Sequence, residues 1–137
     1  MAETTLASKL YLKPGYHAAT INAPQSYLPL LGDLPTGTTL ADHLNAAPYD
    51  FIQLFVHHKA DLDTLAPKVM AALKPGGTLW FSYPKKTGAI PTDITRDIGW
   101  ETVTALGWGG VRQVSIDATW SALQFKPESA VKRKSSQ

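Results

Sequence analysis

Two adjacent histidines, His57-His58, followed by Lys59, and a basic run Lys85-Lys86-Thr87 are the residues here whose types suit binding chemistry. Each group directly follows a stretch of strand character, Asp50 to Val56 and Thr78 to Tyr83. In open α/β sheets ligands sit beyond the carboxyl ends of the strands, so both groups are expected on one rim. Asn22, Gln25 and Ser26 join them, because they follow a first strand over His17 to Ala23 and Ser26 begins a short helix. The candidate ligand-binding set is therefore Asn22, Gln25, Ser26, His57, His58, Lys85 and Lys86. Cations beside a helix N-terminus favour a small anionic ligand. The rival account is that loops are polar and often basic wherever they meet solvent.

Other chemistries fare worse. Adjacent residues on extended backbone point in opposite directions, so His57 and His58 do not readily grip one metal ion. Histidine is a natural general base, but no nucleophile is visible beside this pair. Lys85-Lys86-Thr87-Gly88 resembles the end of a phosphate-binding loop, yet position 81 is Phe81 where that motif requires glycine. Asp93, Asp97 and Glu101 recur every four residues and would share one helix face, which is more often solvated than catalytic. No catalytic or metal-ligating residue is assigned.

The elements that must position the rim follow from periodicity. Thr4-Thr5 can cap a short helix that stops at Lys13-Pro14-Gly15. His17 to Ala23 reads as a strand, Gln25 to Leu31 as a short helix, and Thr38-Thr39-Leu40 hints at another strand. The near-continuous apolar run Asp50 to Val56 is typical of a parallel strand buried on both faces. Leu62, Leu65, Ala66, Val69, Met70 and Leu73 form a helical stripe, with Pro67 inside it expected to kink or restart the helix. Lys74-Pro75-Gly76-Gly77 ends that helix, and Thr78 to Tyr83 is the next buried strand. A helix is expected from Thr92, its cap, to Leu106, with Asp93 in its first turn. Val111 to Ile116 and Thr119 to Phe125, joined at Asp117-Ala118, should pair as an antiparallel hairpin. Strand and helix alternation ending in a hairpin predicts a mostly parallel sheet with an antiparallel edge.

Bulk properties set bounds. The 137 residues, 44% apolar and 18% charged, suit one domain over 1–127 with its own core, followed by a polar tail over 128–137 expected to be disordered. The absence of cysteine excludes disulfides and thiolate metal sites. No apolar run is long enough to span a membrane and no secretory leader is recognisable, making a cytoplasmic location the default. The net charge of +2 is carried by the end of the chain: Lys126, Lys132, Arg133 and Lys134 against Glu128 give +3, leaving −1 for the rest. Nucleic-acid binding by the body of the domain therefore has little support. Of the four tryptophans, Trp80 and Trp120 fall in strands and belong to the core; Trp100 and Trp108 are candidates for a partner surface, with packing preferred.

Tyr49 to Phe55, then Leu73-Lys74-Pro75-Gly76-Gly77-Thr78-Leu79, then the closing hairpin resemble the C-terminal half of class I S-adenosylmethionine (SAM) methyltransferases. That resemblance implies a three-layer, Rossmann-like α/β fold of methyltransferase type. Lys13-Pro14-Gly15, Asn22-Ala23-Pro24, Tyr83-Pro84-Lys85-Lys86, Thr92-Asp93 and Thr119-Trp120-Ser121 resemble, over roughly residues 5 to 127, the DUF3052 type of small bacterial proteins of unknown function. In methyltransferases the cofactor rests on a glycine-rich turn after the first strand, and an acidic residue ending the second strand holds the ribose. Here the turn reads Asn22-Ala23-Pro24-Gln25-Ser26, and Pro24 removes a backbone donor. The stretch from Ala23 to Phe51 is too short for the usual intervening strands and helices, and Asp42 could be offered for the second role but nothing in the sequence places it. On this reading SAM is an unlikely cofactor. The leading expectation is a non-catalytic domain binding a small anionic metabolite or a protein partner at the strand-end rim. A divergent SAM-dependent methyltransferase is the second, and a module that homodimerises through its hairpin edge is the third.

Overall fold

The computed structural model describes residues 9–24, 27, 29, 36–42, 48–85, 92–94, 99–117 and 119–127. Within them lie strands β1 (His17–Ile21), β2 (Thr39–Ala41), β3 (Tyr49–Phe55), β4 (Leu73–Pro84), β5 (Trp108–Ser115) and β6 (Trp120–Pro127). Helix α1 (Lys59–Ala71) connects β3 to β4, and α2 (Glu101–Ala105) precedes β5. The sheet order is β2-β1-β3-β4-β6-β5. The first four strands in that order are parallel, and β6 and β5 close the sheet antiparallel. The expected Rossmann-like architecture, with its C-terminal hairpin, is the one observed.

Alternation along the strands sends successive side chains to opposite faces, and each face builds its own core. Ile52, Leu54, Leu79, Phe81 and Phe125 meet Leu62, Ala66 and Val69 of α1 and Val103 of α2 on one face. Ala18, Phe51, Phe55, Trp80 and Trp120 meet Leu10, Leu12 and Tyr27 on the other. The Trp80 indole donates to the Leu10 carbonyl at 2.9 Å, pinning the N-terminal segment down. Trp100 is also buried, packing its ring against Phe81, Tyr83 and Phe125, so it offers no partner surface.

Three local expectations need correction. Helix α1 continues through Pro67 without restarting, and Pro67 lies on its exposed face. Lys74 to Gly77 do more than end a helix: they bulge out of β4, whose register jumps from Tyr49↔Leu73 to Phe51↔Thr78. Of the helix expected from Thr92 to Leu106, the described residues form helix only over Glu101–Ala105; Thr92 to Ile94 are not helical, and Gly99 at φ 104 breaks the backbone just before α2. Asp93 and Glu101 therefore do not share a helix face, and Asp97 lies outside the described residues. So do Thr4-Thr5, Ala118 and residues 128–137. Among the described residues no helix is long and apolar enough to cross a membrane.

Candidate functional site

Because β2, β1, β3 and β4 are parallel, their carboxyl ends share one rim. That rim carries Asn22 after β1, Asp42 after β2, His57-His58 after β3 and Lys85 after β4. The structure therefore brings together four of the seven residues singled out by sequence; Gln25, Ser26 and Lys86 lie outside the described residues.

Asn22 has φ 62, in the left-handed region. Asparagine tolerates that conformation better than other side-chain-bearing residues, so the turn after β1 has the backbone course that glycine ordinarily supplies. Pro24 does lack a donor, and its carbonyl accepts the Tyr27 N–H at 3.0 Å, starting the next turn. Asp42 follows β2 immediately, and β2 pairs with β1 in the register Ala19↔Ala41. The acid is thereby placed beside the end of β1, which its surroundings in sequence could not show.

The chain enters β2 on one side of β1 and then crosses to β3 on the other. This makes the gap between the carboxyl ends of β1 and β3 a topological switch point, where open α/β sheets bind ligands. His57 follows β3 at this point of the rim. It is exposed, with its ring 5.4 Å from that of buried Trp120. His58 points elsewhere: the two histidine rings stand 6.3 Å apart at 86°.

The cations of the rim are not a bare positive surface. Asp93 accepts the Lys59 backbone N–H at 2.7 Å and lies 3.8 Å from the His58 ring nitrogen Nδ1. Its carboxylate thus occupies the N-terminus of α1, where the helix dipole would otherwise draw an anion. Lys59 Nζ lies 2.8 Å from Asp63 Oδ2, which raises its pKa. That ammonium, followed by a hydrogen bond from Thr102 at 2.7 Å, holds Asp63 below the usual carboxylate range. Lys85 donates to Ser115 Oγ at 2.7 Å, and its backbone N–H to the Thr119 carbonyl at 2.7 Å, tying β4 to the hairpin turn. Sequence reasoning had no access to the Asp93 contact, which joins residues separated by 34 positions.

No family model matches the chain, and no curated protein is significantly similar to it. Solved structures are similar in fold. DhpI in complex with SAH superposes with a TM-score of 0.59 at 12% identity, covering 90% of this chain and 82% of that one. The DhpI-SAM-HEP complex gives 0.56 at 11% identity, covering 85% and 79%. The ribosomal protein L11 methylase of Lactobacillus delbrueckii subsp. bulgaricus gives 0.53 at 12% identity, covering 88% and 74%. At these identities the likeness establishes the fold.

The expectation that SAM is an unlikely cofactor is corrected by this comparison, since the same fold is seen with SAM or SAH bound in DhpI. The expectation rested on the donor lost at Pro24, on an acid that the sequence did not place, and on a missing glycine. Asn22 reaches the left-handed conformation without one.

Proposed function

We propose that this protein is a divergent SAM-dependent methyltransferase, binding its cofactor at the strand-end rim around the β1–β3 switch point. One observation carries the reading: a left-handed turn at Asn22 and an acid at Asp42 close two adjacent parallel strands beside that point. These residues fit the group. The Asp42 carboxylate would accept hydrogen bonds from the paired ribose hydroxyls, and the left-handed turn at Asn22 would stand where methyltransferases have glycine. SAM needs no phosphate cradle, so the donor missing at Pro24 is a smaller loss than it is for a nucleotide. His57 follows β3 beside this crevice, His58 and Lys85 lie further along the same rim, and Gln25, Ser26 and Lys86 complete the proposed binding set. When bound, the cofactor supplies an electrophilic methyl group. The same reading takes the chain to be of the DUF3052 type, on Lys13-Pro14-Gly15 and Asn22-Ala23-Pro24.

Thermal unfolding with SAH tests it. Ligand at about 100 times its dissociation constant should stabilise the fold by roughly 2.7 kcal/mol, and Asp42→Ala should weaken binding at least about tenfold. Absence of any shift with SAM or SAH overturns the reading.

A non-catalytic role for the same rim is the second reading, favoured by the way Asp93 and Asp63 already engage His58 and Lys59. Binding of SAH with no methyl transfer from labelled SAM to any acceptor in a cell extract supports it.

A further inference from the structure

At the opposite edge of the sheet, where the parallel strands begin, lies a cleft of about 400 Å³. Lys13, Arg112 and Lys126 line it together with Tyr11 and Gly76, and among the described residues no aspartate or glutamate does. All three cations are exposed and none has an ion-pair partner among the described residues. By charge count Lys126 belongs with the C-terminal tail. In the fold it stands with Arg112 of the paired strand β5 and with Lys13 from the far end of the chain.

Two irregularities of the sheet build this cleft. In the β5–β6 ladder Gly110 pairs with Phe125 and Arg112 with Gln124, leaving Val111 as an extra, bulged residue. Without the bulge, alternation would put Val111 opposite Gln124 and turn Arg112 to the other face. With it, the Arg112 guanidinium lies 5.1 Å above the Tyr11 ring, a cation–π contact. The second irregularity is the Lys74–Gly77 bulge of β4, whose Gly76 (φ 81) and Gly77 form the floor. Tyr11 itself has φ 65, a costly conformation for a bulky aromatic residue and one that gathers at binding sites.

We propose that this cleft binds a phosphate-bearing small molecule, the size of a nucleotide or sugar phosphate. Three cations without a carboxylate among them suit a multiply charged anion, and Arg112 offers the forked donors that match phosphate oxygens. The volume is that of an ordinary small-molecule site. The site is separate from the strand-end rim, so it stands whether or not that rim holds SAM.

The test is an amide NMR titration of the whole chain with pyrophosphate, AMP and citrate. Pyrophosphate should shift Gly76, Gly77 and Thr78 saturably. The double variant Lys13→Gln with Lys126→Gln should weaken binding at least about tenfold, while Lys68→Gln, an equally exposed lysine on α1, leaves it unchanged. Tighter binding of AMP than of pyrophosphate assigns a nucleotide and a contribution from the tyrosine side. Equal affinity for citrate overturns the phosphate assignment. An unchanged affinity in the double variant, or shifts confined to other amides, overturns the site.

Discussion

Asp93 caps α1 from a distance: its Oδ1 accepts the Lys59 backbone N–H at 2.7 Å across 34 residues of chain. The residue at the helix N-cap, His58, makes no such bond with its own side chain. Thr92 supports the arrangement by donating to the His57 carbonyl and accepting the Ile94 N–H at 3.1 Å. One short segment thus fixes both the start of α1 and the rim residues before it.

Asp93→Ala should therefore destabilise the fold by ~1 kcal/mol, as loss of a helix cap does. Thermal unfolding should register this as a drop of roughly 3–6 °C. His58→Ala removes only an exposed pairing with Asp93 and should cost less than ~0.5 kcal/mol. Equal costs for the two variants would contradict the capping role.

A buried polar chain crosses the second core. The Tyr27 hydroxyl donates to Gln53 Oε1, and Gln53 Nε2 donates to Ser82 Oγ at 2.7 Å. Gln53 and Ser82 are wholly buried, so removing one partner strands the others. Gln53→Leu should cost ~2 kcal/mol in urea unfolding. Adding Tyr27→Phe to it should cost less than the sum of the single changes, by a coupling of about 0.5–3 kcal/mol.

Burial raises the pKa of the Tyr27 hydroxyl far above its ordinary value, the Gln53 bond opposing only in part. The folded state then keeps a proton that the unfolded state releases above about pH 10. The contribution is complete below that pH and is lost as pH rises beyond it, with a slope of at most ~1.4 kcal/mol per pH unit. Urea midpoints measured from about pH 9 to 11 should fall more steeply for the wild type than for Tyr27→Phe.

Asp50 behaves in the opposite sense. It accepts the His17 backbone N–H at 2.8 Å and pairs with Lys74 at 3.0 Å, and these hold its carboxyl below the usual range despite some desolvation. Its stabilising contribution is present above the unfolded pKa of about 3.9 and disappears as pH falls through the lower folded value. Acid titration of stability should be shallower below pH ~4 in Asp50→Asn than in the wild type.

The sequence by itself determined the layout. Apolar runs at Asp50 to Val56 and Thr78 to Tyr83, the stripe through Leu62, Ala66 and Val69, and the turn at Asp117 were enough for a mostly parallel sheet with a closing hairpin. These signals are local, since burial on one or two faces imprints a period on the residues that experience it. The strand-end rule likewise placed Asn22, His57, His58 and Lys85 on one rim. Only the tertiary structure decided what depends on residues distant in sequence. The register of β2 against β1 put Asp42 at the rim, and a one-residue bulge turned Arg112 toward Tyr11. Neither leaves a periodic trace, because strand register and bulges are set by pairing between segments rather than by the pattern within one. The same holds for Asp93, whose sequence neighbours suggested the start of its own helix and whose carboxylate instead completes another.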